Sequence, residues 1–273
     1  MNVLEIESVD DPRLADYRNL SARPLGRVTG EPYFVVEGQL IVSRLLSSDY
    51  HVRSVVVQQG RDLDVIGTPD DDVPVFHLSR DQIRQLSGFD FHRGFLASAT
   101  RRDYCDWDRF ACDPVSLALL QTTDMQNLGS MLRSAAAFGI KQVLIDDQTV
   151  DPYARRTMRV SMGAALGMQF FKMSDPLQTL AMLADRGVTS LAATLAADSI
   201  PLDQFQRGCD PVVILMGNEA NGLPPKIQRA ATRRITIPMH HHEDADRQVD
   251  SLNVSVAAAI VMHELCKRSK GPV

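Results

Sequence analysis

The sequence predicts a two-domain α/β protein. Its 273 residues are more than one average domain needs and are enough for two domains that each bury a core. Short runs rich in β-branched residues alternate with amphipathic runs, which is typical of sheets covered by helices. A polar, acid-rich stretch over 103–114 ends at Asp113-Pro114 and separates two such series. We therefore predict one domain over residues 1–105 and a second over 106–273.

The first domain is predicted to be a compact α/β module behind an amino-terminal extension. Strands are expected at 33–37, 53–57, 75–78 and 95–99, and helices at 38–48 and 81–86. One apolar face of the first helix is predicted to contain Leu40, Ile41, Val42 and Leu45. The first 30 residues hold four arginines among prolines and acids, and only a short helix over 11–20 can be assigned there.

The second domain is predicted to be a parallel sheet covered on both faces. Its strands are expected at 115–120, 142–146, 168–172, 189–194, 212–216 and 234–237. Helices alternate with them at 129–138, 153–162 and 176–185, with a short helix after 216 and a final helix that starts at Ser251 or Asn253. Since ligands bind at the carboxyl ends of the strands in such sheets, a site is expected in the loops that follow them.

The composition fits a globular protein of the cytoplasm. Hydrophobic residues make up 44% of the chain and charged residues 23%, and no apolar run approaches the roughly 20 residues of a membrane span. The amino terminus lacks the basic start and apolar core of a secretory signal, so a cytoplasmic location is expected. The four cysteines are scattered without a C-x-x-C pair, which predicts free thiols at Cys105, Cys112, Cys209 and Cys266.

The charge balance argues weakly against a nucleic-acid partner. The formal net charge is −5, whereas phosphate binding needs a locally positive surface. Basic residues of the second half lie in clumps, at Arg155-Arg156 with Arg159, at Arg229 with Arg233-Arg234, and at Lys267-Arg268 with Lys270. Each clump alone is more typical of a solvated helix face than of an RNA contact.

Three sequence blocks carry candidate site residues. In the first, residues 127–135, Asn127 is predicted to cap a helix that Gly139 ends, and Gly129 leaves room for a ribose to approach Arg133 on the same face. A lone arginine on a helix is more often a surface ion pair. In the second, residues 215–224, two glycines permit a tight turn around Glu219, which by itself could simply cap the next helix.

The third block, residues 251–257, begins the final helix. Capping explains either Ser251 or Asn253 but not both. Neither G-x-G-x-x-G nor G-x-x-x-x-G-K-[ST] occurs, so the two commonest nucleotide-binding motifs are absent from the sequence. A cofactor would have to be held in another way.

In this order the three blocks resemble the SpoU/TrmH family of RNA 2′-O-ribose methyltransferases, within the SPOUT superfamily. The resemblance is specific from about residue 124 onward. The stretches 34–38 and 53–57 are similar to the L30e-like substrate-binding domain that precedes many members. The family implies a carboxy-terminal trefoil-knot domain with a parallel sheet, a rare exception to the avoidance of knots, and homodimers whose active site is completed across the interface.

The resemblance also implies the cofactor and the site residues. S-adenosylmethionine would be the methyl donor, structured rRNA or tRNA the substrate, and no metal or membrane would take part. The matching catalytic positions are Arg133, Asn127, Glu219, Ser251 and Asn253. The matching cofactor-binding positions are Thr194, Leu195, Met216, Gly217, Asn218, Gly222, Ile237, Pro238, Met239, Ser251 and Leu252.

The implied reaction is attack of a ribose 2′-oxygen on the methyl of a sulfonium, in line with the leaving sulfur. Arg133 occupies the position of the family's proposed base, but a guanidinium is a reluctant proton acceptor. We therefore expect Arg133 to bind phosphate or stabilise the developing alkoxide, with a desolvated arginine or water as the base. Asn127, Ser251 and Asn253 would orient the ribose.

One segment departs from the family pattern. Between Met239 and Ser251, where most relatives have a short glycine-containing link, stand three histidines and several acids over 240–250. This insertion could form a lid or touch RNA, and a solvated loop is the simpler interpretation. A metal site is disfavoured because consecutive residues do not converge easily on one ion.

Two other functions remain open from the sequence. The first is a non-catalytic RNA-binding or ribosome-assembly protein on the same fold. A site that no longer catalyses a reaction, however, has no chemical reason to keep all five catalytic residues. The second is a small-molecule or protein methyltransferase, which the acidic first domain favours slightly. An RNA ribose methyltransferase is the leading hypothesis.

Overall fold

A computed structural model of the chain describes residues 2–20, 31–88, 93–239 and 251–267. They form two compact units. The first comprises Met1–Asp103 and Asp151–Gly167, and the second comprises Tyr104–Val150 and Met168–Val273. The segment Asp151–Gly167, which the sequence analysis places in the second domain, therefore folds with the first unit.

The first unit contains a five-stranded mixed sheet. Its strands are β1 (Asn2–Glu5), β2 (Tyr33–Glu37), β3 (Val52–Gln58), β4 (Pro74–Leu78) and β5 (Phe95–Thr100), and its early helices are α1 (Gln39–Leu46) and α2 (Arg80–Ser87). The strand order is β1-β4-β3-β5-β2, with β5 antiparallel to both of its neighbours. The four predicted strands are present. The edge strand β1, parallel to β4, lies in the segment to which we could assign only a short helix.

Two details of the first unit correct the sequence predictions. On α1, Leu40 is 45% exposed, whereas Ile41, Val42 and Leu45 are buried. The predicted apolar face was therefore wrong at Leu40. The helix predicted over 11–20 is a short 3-10 helix, Pro12–Tyr17, capped by the side chain of Asp11.

The second unit contains a seven-stranded sheet in which every pairing is parallel. Its elements are β6 (Val115–Leu119), α3 (Met125–Ala137), β7 (Gln142–Asp146), β8 (Gln169–Met173), α5 (Pro176–Asp185), β9 (Thr189–Ala193), β10 (Ile200–Pro201), β11 (Val212–Met216), α6 (Pro225–Ala230), β12 (Arg233–Thr236) and α7 (Val254–Cys266). The order is β10-β12-β9-β11-β6-β7-β8. The predicted parallel sheet is confirmed.

Helix α3 starts earlier than predicted. Asp124 is its amino-terminal cap and accepts from the backbone N–H of Gln126 at 2.5 Å. The prediction that Asn127 caps this helix was wrong, because Asn127 already lies in the first helical turn. Gly139 follows the end of the helix with φ +79°, as its predicted role requires.

The remaining helix, α4 (Arg155–Val160), belongs to the first unit. Glu37 at the end of β2 is only 3% exposed, and Arg155 and Arg159 both form ion pairs with its carboxylate. The hydroxyl of Tyr153 is 2.9 Å from that of Tyr50, and burial raises the pKa of Tyr153. These contacts explain why a segment from the middle of the chain folds with the amino-terminal sheet.

Candidate active site

The candidate site lies in the second unit at the carboxyl ends of neighbouring strands. Strands β12, β9, β11 and β6 are adjacent and parallel, so the loops that follow them leave the same edge of the sheet. The first block follows β6, the second follows β11, and the segment 237–239 follows β12. Helix α7, which carries the third block, packs against α3. The sequence predicted this edge, because ligands bind at the carboxyl ends of the strands in parallel sheets.

A chain of three side chains connects the three blocks. The amide nitrogen of Asn253 donates to the amide oxygen of Asn127 at 3.1 Å. The amide nitrogen of Asn127 in turn donates to a carboxylate oxygen of Glu219 at 3.3 Å. Three of the five predicted catalytic residues are therefore hydrogen-bonded to one another, although they lie far apart in the sequence.

Glu219 is the centre of this network. Besides Asn127, its carboxylate accepts from the backbone N–H of Asp124 at 3.3 Å, the hydroxyl of Thr123 at 3.5 Å and the amide of Asn218 at 3.3 Å. All four donors are neutral. Glu219 thus joins the loop after β6 to the loop after β11, and no arginine pairs with it among the described residues.

The loop after β11 closes on itself very tightly. Asn218 and Gly222 exchange two backbone hydrogen bonds, at 2.9 and 3.1 Å. The side-chain oxygen of Asn218 accepts from the backbone N–H groups of Ala220 and Asn221, and its amide donates to the carbonyl of Gln121 at 2.8 Å. A Cβ atom on Gly217 would lie 2.3 Å from the carbonyl carbon of Gly222, so only glycine fits there.

Asn253, and not Ser251, caps the amino terminus of α7. The side-chain oxygen of Asn253 accepts from the backbone N–H groups of Ser255 at 2.9 Å and Val256 at 3.4 Å. Ser251 is exposed, and its side chain has no hydrogen-bond partner within the described part of the chain. Both ends of the Asn253 amide are thus engaged.

Arg133 stands apart from this network. It is exposed on α3, one helical turn after the buried Gly129, which confirms that the two share a face. Within the described ranges, Arg133 has neither an ion pair nor a hydrogen bond to another side chain. Its guanidinium donors are free to bind an anion.

The predicted cofactor-binding residues lie at the end of β11, in the loops after β9, β11 and β12, and just before α7. The hydroxyl of Thr194 donates to the side-chain oxygen of Gln228 at 3.0 Å, and the amide of Gln228 donates to the carbonyl of Leu223 at 2.7 Å. Gln228 therefore ties the loop after β9 to the loop after β11. Leu195 is 60% exposed and Leu252 is 37% exposed, whereas Met216 is buried.

Three residues that shape this edge were not predicted from the sequence. Gln228 was not singled out because it lies in a short helix outside the three blocks. Gln121, two residues past β6, contacts Asp146 at the end of β7, where the backbone N–H of Gln121 is 3.1 Å from both carboxylate oxygens of Asp146. An acid at the end of a buried strand was the available signal for Asp146.

The insertion over 240–250 lies outside the described residues. Among the residues that are described, no group of three histidine, cysteine, aspartate or glutamate side chains could hold a metal ion. The four cysteines are free, and Cys209 is exposed. No described helix has the length and apolar character needed to cross a membrane.

Comparison with known proteins agrees with this geometry. The curated relatives include the uncharacterized tRNA/rRNA methyltransferase Rv0881 of Mycobacterium tuberculosis, 31% identical over 97% of this chain and 92% of its own length. The 23S rRNA (guanosine-2′-O-)-methyltransferase RlmB of Acinetobacter baylyi is 29% identical over 73% of this chain and 80% of its own length.

Solved structures show the same fold. An rRNA methyltransferase from Sinorhizobium meliloti is 25% identical with a TM-score of 0.79, covering 97% of this chain and 98% of that one. An AdoMet-bound form from the same organism is 24% identical with a TM-score of 0.77, over 96% and 97% of the two chains. The SpoU rRNA Methylase family model matches residues 114–263, more than half of the chain. The chain therefore belongs to the SpoU rRNA methylase family and is a methyltransferase of that family.

Proposed function

We propose that this protein transfers a methyl group from S-adenosylmethionine to the 2′-hydroxyl of a ribose in structured rRNA or tRNA. The observation that carries the proposal is the hydrogen-bonded chain of Asn253, Asn127 and Glu219 at the carboxyl edge of the parallel sheet. It brings together residues of all three family blocks, and Arg133 lies exposed on α3, the helix that also carries Asn127. The guanosine-2′-O activity in the name of the RlmB relative supports the choice of a ribose oxygen.

The loops after β9, β11 and β12 fit S-adenosylmethionine. Leu195 and Leu252 are apolar side chains left exposed there, and Ile237 and Met239 are half-buried. Such side chains suit the apolar faces of an adenosine, while Gly217 lets the loop after β11 close tightly on its own backbone. When bound, the cofactor would supply an electrophilic methyl group on a sulfonium. Gln228 would hold two of these loops in fixed positions relative to each other.

Arg133 would act on the RNA. A free guanidinium presents several donors in a planar fork, which suits a phosphate or a developing alkoxide. Because it stays charged, Arg133 would favour ionisation of the 2′-hydroxyl by electrostatic stabilisation, and the proton would leave to water or to a desolvated arginine. Ser251, whose hydroxyl is unengaged in the described part of the chain, would contact the ribose. Asn127 and Asn253 would hold the loops that surround it.

The quaternary structure and the domain roles are part of the same proposal. Val256 is 48% exposed and Ile260 is 39% exposed, and they lie four residues apart on one face of α7. We assign this face to a homodimer contact. The carboxy-terminal domain would carry the trefoil knot, and the amino-terminal module would bind RNA as an L30e-like domain in a cytoplasmic enzyme.

The test is transfer of a labelled methyl group from S-adenosylmethionine to unmodified total RNA. The product is mapped by resistance of one phosphodiester to alkaline cleavage, and Arg133→Ala and Arg133→Lys are run beside the wild type. We expect the wild type to protect one phosphodiester and both variants to leave it unprotected. The affinity of the variants for the cofactor should be nearly unchanged. Cofactor binding without incorporation into rRNA or tRNA would favour the RNA-binding or ribosome-assembly alternative. Retained turnover in Arg133→Lys would contradict the role given to Arg133.

A further inference from the structure

Gln121 adopts a backbone conformation that its residue type disfavours. It lies two residues past the end of β6 and has φ +55°, in the left-handed region. Residues with a Cβ atom meet a steric penalty there, and glycine, asparagine and aspartate are the residues that usually occupy it. A glutamine at this point needs a reason beyond the turn itself.

The surrounding chain fixes this conformation from both sides. The backbone N–H of Gln121 donates to both carboxylate oxygens of Asp146, which is 5% exposed and also accepts from the N–H and hydroxyl of Thr149 at 2.9 and 2.7 Å. The carbonyl of Gln121 accepts from the amide of Asn218 at 2.8 Å. Two segments of the second unit, the end of β7 and the loop after β11, therefore hold the peptide groups of one strained residue.

The side chain of Gln121, in contrast, is not used by the fold. The residue is half-buried, and its amide has no hydrogen-bond partner within the described ranges. The residue adjoins the candidate active site, because the Asn218 amide that donates to the Gln121 carbonyl also donates to Glu219. Strained residues persist where the structure over-determines them, and they are concentrated at functional sites. A turn with no further task would be more stable with glycine.

We propose that the side-chain amide of Gln121 contacts the base of the nucleotide whose ribose is methylated. An amide offers one acceptor and two donors, which matches the mixed edge of a base, whereas a phosphate offers acceptors only. Unstacked bases of RNA are recognised through such edges. Gln121 would thus be a specificity-determining residue, and this assignment rests on the proposed function.

The experiment compares full-length Gln121→Gly and Gln121→Ala with the wild type, on transcribed tRNA and rRNA fragments. Gln121→Gly removes both the strain and the amide, whereas Gln121→Ala removes the amide alone. Gln204→Ala, which truncates an exposed glutamine elsewhere in the second unit, is the control. For Gln121→Gly we expect an unchanged or higher melting temperature and a KM for RNA raised about tenfold, with an unchanged KM for S-adenosylmethionine. Gln121→Ala should show the same KM defect without the gain in stability.

A wild-type KM for RNA in Gln121→Gly would overturn the inference, and so would a rise confined to the KM for S-adenosylmethionine. The affinity for the same RNA fragments is measured in parallel by fluorescence anisotropy. If the wild type transfers no methyl group, the proposed function fails. The base contact is then judged separately, since equal RNA affinities of the wild type and Gln121→Gly would exclude it.

Discussion

The amide of Asn253 donates to the side-chain oxygen of Asn127 at 3.1 Å, across 126 residues of chain. The other end of the same side chain caps α7, where its oxygen accepts from the backbone N–H groups of Ser255 and Val256. One asparagine therefore both starts the last helix and anchors the first block. These two tasks can be separated by mutation.

Asn253→Asp should keep the cap and lose the link. An aspartate oxygen accepts the same backbone N–H groups and is favoured at a helix amino terminus, but it cannot donate to Asn127. We expect the free energy of unfolding to change by less than about 0.5 kcal/mol. Methyl transfer to RNA should fall severalfold. Asn253→Ala, which removes the cap as well, should lose about 1 kcal/mol in denaturant unfolding. Full activity in Asn253→Asp would show that the link to Asn127 is dispensable.

Gly217→Ala should disrupt the loop after β11. The new Cβ atom would lie 2.3 Å from both the carbonyl carbon of Gly222 and the backbone nitrogen of Leu223, so the backbone has to move. We expect a loss of more than about 2 kcal/mol in unfolding free energy and the loss of cofactor binding in calorimetry. Gly222→Ala is the matched control, because Gly222 has φ +64° but nothing within 4 Å of its added carbon. It should lose only about 1 kcal/mol, from backbone strain. Equal effects of the two changes would refute this steric account.

Gln228→Leu should weaken cofactor binding more than it slows the reaction. The change removes the hydrogen bonds to Thr194 and to the carbonyl of Leu223, which together tie two proposed cofactor loops. Two such bonds contribute about 1 kcal/mol each, so the Kd for S-adenosylmethionine should rise by about tenfold or more. The kcat at saturating cofactor should change little. A normal Kd with a reduced kcat would place Gln228 outside cofactor binding.

Glu37→Ala should destabilise the first unit. Glu37 is 3% exposed and pairs with two arginines of α4, and removal of one partner leaves the others uncompensated. Because Arg155 and Arg159 are partly exposed and can regain water, we expect a loss of about 3 kcal/mol, at the lower end for a buried ion pair. Glu7→Ala, at an exposed position of the same unit, should leave the denaturant midpoint unchanged. Equal midpoints for the two variants would contradict a stabilising role of Glu37.

Much of the fold follows from local patterns. Strands β2, β7 and β11 have the predicted bounds, because apolar β-branched runs flanked by turn residues mark buried strands clearly. Helix α5 was equally well defined by Asp175 and Pro176 at its start. The convergence of the three blocks also followed from sequence, since loops after parallel strands leave one edge of the sheet.

What the sequence did not predict depends on long-range partners. Asp124, and not Asn127, caps α3. Both residue types can cap a helix, so the choice between them depends on Glu219 and Asn253, which bind the side chain of Asn127. The left-handed conformation of Gln121 was not predicted because no glycine stands at that position. No local signal shows that Leu40 faces outward, because that depends on which elements of the first unit cover the helix.

The composition of the first unit has a consequence for biosynthesis. All five strands of its sheet have been synthesised once residue 100 has been made. The ion pairs of Glu37 can form only after Arg155 and Arg159 have been synthesised. Strands β6 and β7 and helix α3 of the other unit leave the ribosome during that interval. Domains usually fold in turn as the chain emerges. Here the earlier unit can be finished only after part of the later one has been synthesised, so in its nascent form Glu37 lacks both of its counter-ions.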